Sequence, residues 1–112
     1  MRKTDKKTDK QLRQALTQVC DMALEHVPGF QWLTHQVTYP RVDDTLTVTC
    51  VFDTNEQLQT YLNSEQASFL ANAIQFELSS IGVKIKAKHG IHYDSEEECN
   101  KHHNGNWAKR LS

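Results

Sequence analysis

The chain has 112 residues, with 13 Lys+Arg against 14 Asp+Glu, and 38% of it is hydrophobic. That length suits one domain with a single modest core and excludes a large multi-part enzyme. No apolar run approaches the roughly 18 residues of a membrane span, no signal-peptide pattern follows Met1, and three widely spaced cysteines (Cys20, Cys50, Cys99) suit a reducing compartment, so a cytoplasmic protein is expected.

Residues 1–8 read as a basic flexible arm. Leu12, Ala15, Leu16, Val19, Cys20, Ala23, Leu24 and Val27 then recur at the spacing of one helix face, and Thr8 with Gln11 resembles a capping box, which predicts a helix starting near residue 9. Pro28 and Gly29 end it. From Phe30 to Tyr39 β-branched and aromatic residues predict a strand, and Leu46, Val48, Cys50 and Phe52 alternate with Thr45, Thr47 and Thr49 as a half-buried second strand. Pro40 to Asp44 is a connection of hairpin length, so the two should pair antiparallel. Only one face of the second strand is apolar, which leaves the other face of the sheet for water or a partner.

Thr54 with Gln57 caps a short helix through Leu58, Tyr61 and Leu62. After a break at Asn63 and Ser64, a further helix carries Phe69, Leu70, Ala73, Ile74, Leu78 and Ile81, with Gly82 as its left-handed stop. Val83, Ile85 and Ala87 alternate with Lys84, Lys86 and Lys88, which predicts a third strand. Residues 95–112 read as an appendage: a short helix opened by Glu96, Glu97 and Glu98, a stop at Asn104-Gly105, and a tail. The expected fold class is α+β, a three-stranded sheet with helices on one face in the order α-β-β-α-α-β over residues 9–94, plus a short C-terminal helix.

Charge is unevenly placed along the chain. Residues 1–13 hold six basic groups against two acids, residues 14–82 one against eight, and residues 83–112 six against four. Three lysines on one strand face, Lys84, Lys86 and Lys88, sit about 7 Å apart and match successive phosphates. The same pattern also guards a sheet edge against aggregation. Arg2, Lys3, Lys6, Lys7, Lys10 and Arg13 add a non-specific electrostatic contribution, although alternating Lys and Asp is also the pattern of a solvated terminus. His89, His92, Cys99, His102 and His103 crowd together, and Cys99 and His103 share a helix face, but their spacing matches no recurrent zinc motif. Phe30, Trp32 and Tyr39 could stack on bases, though core packing explains them more simply. No phosphate loop, nucleophile elbow or paired carboxylate set is present, so neither catalysis nor a cofactor is expected.

Two resemblances accompany these residues. The element order, closing on Val83-Lys84-Ile85-Lys86-Ala87 and His92-Tyr93-Asp94, resembles the type II KH-like arrangement of ribosome-binding factor A. That likeness implies an association with nucleic acid or a ribosomal particle. The Gly-x-x-Gly clamp of KH domains is replaced here by Leu62-Asn63-Ser64-Glu65-Gln66-Ala67, and the ribosome-binding factor also lacks it. Met1 to Lys7, Gly29-Phe30-Gln31-Trp32-Leu33-Thr34-His35 and Val51-Phe52-Asp53-Thr54-Asn55 are similar to short bacterial proteins labelled Fis family transcriptional regulators, which implies a regulatory role at DNA. The expectation is a non-catalytic regulatory binding protein whose partner is nucleic acid or a ribosomal particle. A protein–protein adaptor using the acidic surface or the open sheet face is the alternative, and a small zinc-binding protein is a third.

Overall fold

The computed structural model describes residues 2–112, apart from the side chains of Ala87 and Lys88. Helix α1 spans Lys3–His26, so it begins well before residue 9 and takes in most of the segment expected to be a flexible arm. Thr8 is not its cap. Its hydroxyl instead donates to the Thr4 carbonyl one turn back, at 3.0 Å. The early start has a local cap, since the Arg2 backbone N–H donates to Asp5 Oδ2 at 3.4 Å, and one turn further on the phenol of Tyr39 donates to Asp9 Oδ1 at 3.0 Å and ties the helix to the body.

Strand β1 (Phe30–Gln36) pairs antiparallel with β2 (Thr47–Phe52), and the single-turn helix α2 (Val42–Thr45) forms part of their connection. Helix α3 (Asn55–Leu62) starts at the expected cap, where Thr54 Oγ1 accepts from the Gln57 N–H at 3.1 Å. Helix α4 (Phe69–Ser79) follows, and Gly82 adopts φ +77° where the chain leaves it.

The third strand is not where its alternation predicted. Residues 83–86 are extended, with Val83 and Ile85 buried and Lys84 and Lys86 exposed, but they join no ladder. The turn α5 (Ala87–Gly90) reverses the chain, and β3 is Ile91–Ser95, parallel to β2, giving the sheet order β1-β2-β3. Both stretches alternate at period two. The ladder goes to Ile91–Ser95 because the α5 turn packs Gly90 against Ile85 and the Leu46 carbonyl, aiming the next residues along β2; a Cβ on Gly90 would lie 2.5 Å from Ile85 Cγ1.

Register fixes the two faces of the sheet. Leu33, Cys50 and Tyr93 form one cross-strand row, with Val48 and Ile91 beside it, and this side meets Leu12, Leu16, Val19, Ala23, Leu70, Ile74 and Leu78 of α1 and α4. Trp32, Val51 and Asp94 form a row on the opposite face. That face is not left open. Helices α6 (Glu96–His103) and α7 (Trp107–Arg110) fold back over the row, so the stretch expected to be a tail is a third layer. The Trp32 and Trp107 rings meet edge to face at 4.9 Å, and both indole N–H groups donate to Glu96 Oε1, at 2.7 and 3.1 Å. Arg110 closes the layer with two hydrogen bonds to the Asp94 carboxylate, of 2.6 and 3.0 Å.

Gly29, at the α1–β1 corner, has φ +87° and passes so close to α3 that a Cβ would lie 2.7 Å from Gln57 Cβ. Gly29→Ala should therefore destabilise the protein by about 2 kcal/mol, through left-handed backbone and steric contact together. A urea midpoint that does not move would contradict this account of the corner.

Candidate nucleic-acid interface

A helix with Lys3, Lys6, Lys7, Lys10 and Arg13 in its first half places all five on an outward arc of about 120° at 3.6 residues per turn. All five are exposed. The two acids of this segment turn the other way, onto the side that continues as Leu12 and Leu16. The Asp5 and Asp9 side chains are only 14% and 25% exposed. Asp9 accepts from Tyr39 and pairs with Arg13 at 3.1 Å, and Asp5 lies 3.9 Å from Arg2. Among the described residues, Lys3, Lys6, Lys7 and Lys10 form no ion pair. The linear sequence alternates Lys with Asp and looks self-neutralising, but the helix separates the two signs.

The helix dipole opposes this arrangement. Lys3 and Lys6 lie in the first turn, where a positive side chain beside the positive end of the helix costs a few tenths of a kcal/mol, and Lys7, Lys10 and Arg13 lie beyond it.

The lysines first expected on a strand are placed differently. Lys84 and Lys86 project from the extended segment after α4 and line a groove with Asp43 and Asp44, and the Lys84 backbone N–H donates to Asp43 Oδ1 at 3.3 Å. Carboxylates thus face this pair, and Asp44 is also held by Arg41 at 2.8 Å. Lys88 falls in α5, and its side chain lies outside the described residues. Sequence reasoning ranked this stripe above the α1 face. The signal it passed over was the placement of Asp5 and Asp9 on the continuation of the apolar stripe.

Cys99 and His103 do lie on one helix, but the thiol side chain is fully buried and His103 Nδ1 sits 3.2 Å from an Arg110 guanidinium nitrogen. Among the described residues no group of three or more His, Cys, Asp or Glu side chains is arranged to hold a metal ion. Phe30 packs in the core against Phe52 at 6.1 Å, Trp32 lies under Trp107, and Tyr39 is bound to Asp9. None of the three is free to stack on a base in this arrangement.

Burial pushes the Cys50 thiol up to about 12, with Cys20 adding to the effect. Tyr93 is pushed up to about 12 by burial and then by Cys50 and Tyr61, and Tyr39 to about 12 by burial and then by its hydrogen bond to Asp9. These groups ionise more easily in the unfolded chain, so their stabilising contribution is complete below the unfolded values. It is lost as the pH rises through the folded ones. Urea midpoints should hold up to about pH 9 and fall steadily towards pH 12. A flat profile over that window would show that Cys50, Tyr39 and Tyr93 are not held in this way.

Among the described residues, no helix is long and apolar enough to cross a membrane. No protein-family model, curated protein or solved structure matches the chain.

Proposed function

We propose that this protein is a non-catalytic nucleic-acid-binding protein of regulatory type, engaging the phosphate backbone of a nucleic acid or a ribosomal particle through the outward face of α1. The observation that carries this reading is the sorting of charge on that helix: four lysines with no ion pair among the described residues, and Arg13, which also pairs with Asp9, are exposed, while both acids are turned inward. Lys84 and Lys86 are secondary contacts, since Asp43 and Asp44 share their groove. Leaving the single-turn helices aside, the order α1, β1, β2, α3, α4, β3 supports a type II KH-like reading of the domain, with its third strand at Ile91–Ser95. The loop from Asn63 to Ser68, where KH domains clamp the backbone, has neither glycine nor a basic residue. The contact is therefore assigned to α1 and not to that loop.

The test is fluorescence anisotropy of labelled DNA and RNA oligomers titrated with the protein at several salt concentrations. Log affinity should fall linearly with log salt, with a slope of about −4 if each outward cation neutralises one phosphate. Absence of binding to every oligomer at low salt would overturn the reading.

A further inference from the structure

The outer edge of β1 carries backbone groups that the sheet does not use. At its start the Gly29 carbonyl accepts from the Asp53 N–H at 2.9 Å, while the next N–H, of Phe30, donates away from β2 to the Val27 carbonyl at 3.2 Å. After the bulge between Phe30 and Trp32, the same alternation places the N–H and C=O groups of Leu33 and His35 on the outer side, away from their cross-strand neighbours Cys50 and Val48. The Leu33 N–H points at the Cys20 thiol, a weak acceptor. Among the described residues, no helix or loop backbone bonds these groups. A groove runs beside them, walled by Arg13, Thr17, Cys20 and Asp21 of α1 and by Leu33 and His35 of the strand. Sheet edges are usually guarded by lysine, proline or other charge, yet Phe30 to Thr38 contains no Lys, Arg, Asp, Glu or Pro.

We propose that this edge binds a second copy of the chain, the two β1 strands pairing antiparallel over Trp32–Gln36 about a twofold axis at Thr34, so that one sheet runs through both copies. Leu33 then exchanges both of its backbone hydrogen bonds with the partner's His35, and His35 with the partner's Leu33. Thr34 meets the partner's Thr34, a favourable cross-strand pair. The axis stands perpendicular to the sheet, so the two α1 helices lie antiparallel on the same side. Along the groove Cys20 lies by Leu33 and Arg13 by His35, which puts Thr17 nearest the axis. Thr17 is midway between Arg13 and Asp21, so Arg13 of each copy faces the partner's Asp21. Asp21 is exposed and forms no ion pair among the described residues. Arg13 holds Asp9 through one terminal nitrogen and keeps further donors free. Leu24, 56% exposed, lies on the same flank of α1 and is covered by the partner's helix. An uncharged strand that matches itself and a helix flank of opposite charges either side of the axis favour a second copy over a foreign strand. The proposal does not depend on the phosphate-binding reading.

The experiment is sedimentation velocity of the full chain over about a hundredfold range of concentration, which should show a shift from one to two chains per particle. Asp21→Arg and Arg13→Glu should each weaken the dimer by at least about tenfold, because each sets like charges across the axis. An equimolar mixture of the two variants should recover it as a heterodimer, since every facing pair is then of opposite sign. Both substitutions lie on an exposed helix flank, and circular dichroism verifies that each variant folds. In the unmodified chain, amide exchange at Leu33 and His35 should slow as the dimer forms, which a misfolded variant cannot imitate. A chain that stays single at every concentration would overturn the proposal and leave the edge to a strand of another protein. A dimer in which these two amides stay unprotected, or which neither variant weakens, would overturn it as well, by placing the contact elsewhere.

Discussion

Replacing Lys3, Lys6, Lys7 and Lys10 together by glutamine should weaken nucleic-acid binding by roughly 10²- to 10³-fold at 0.1 M salt and flatten the salt slope by about 3 to 4. The same substitution should leave the melting temperature unchanged or raise it. Lys3 and Lys6 sit in the first turn of α1 beside the positive end of its dipole, and none of the four has a carboxylate within ion-pair distance among the described residues, so removing the charges relieves repulsion in the folded state. Opposite signs in the two readouts separate a binding role from a structural one. If these lysines only solvated a helix end, affinity would not change. If they held the fold, stability would drop with affinity. Glutamine preserves helix propensity, so neither result can be blamed on loss of the helix itself. A variant with an unchanged salt slope would remove α1 as the contact surface.

Arg110→Ala should destabilise the protein by about 2 to 3 kcal/mol and shift tryptophan emission to the red. Arg110 and Asp94 are only 19% and 16% exposed, and their two hydrogen bonds attach α7 to β3. Removing the guanidinium leaves the carboxylate nearly buried without its partner, which costs more than the pair itself contributed. With α7 loosened, Trp107 leaves the face of Trp32, and both indoles lose their shared acceptor on Glu96 to water. The emission shift distinguishes this from general loosening, because the chain has two tryptophans and both lie in this layer. An unaltered spectrum together with an unaltered midpoint would mean that Arg110 does not hold the C-terminal layer.

Much of the fold was legible in residue spacing. The apolar stripe from Leu12 onward, the antiparallel β1–β2 pair, the Thr54 cap and the Gly82 stop are all local or nearly local signals, and each appears where it was read except Leu24, which the stripe included and the structure leaves exposed. Three features were misread. Residues 83–87 and 91–95 both alternate, and which of them enters the ladder is decided by pairing with the distant strand β2. The C-terminal layer rests on contacts between Trp32, Glu96 and Trp107, residues far apart in sequence that no periodicity links. The helical start at Lys3 is capped by Asp5 on the Arg2 backbone N–H, a pair three residues apart that the sequence reading passed over in favour of Thr8 and Gln11. The candidate site was half legible: its basic residues were counted correctly, but the count could not show that a helix would turn the acids inward. For the same reason the spacing of Lys84 and Lys86 could not show that Asp43 and Asp44 share their groove.

The mixed sheet also sets an order of assembly. Antiparallel β1 and β2 are joined by a short connection and close early. The parallel partner of Val48 is Ile91, which must wait until the whole of α3 and α4 has been laid down between them. Chain closure over a longer loop costs more entropy and comes later. The β1–β2 hairpin is therefore expected to close before β3 joins it, with α6 and α7 directly behind β3 in the chain. On this order amide exchange in β3 and α6 should report partial openings that the amides bonded between β1 and β2 do not share.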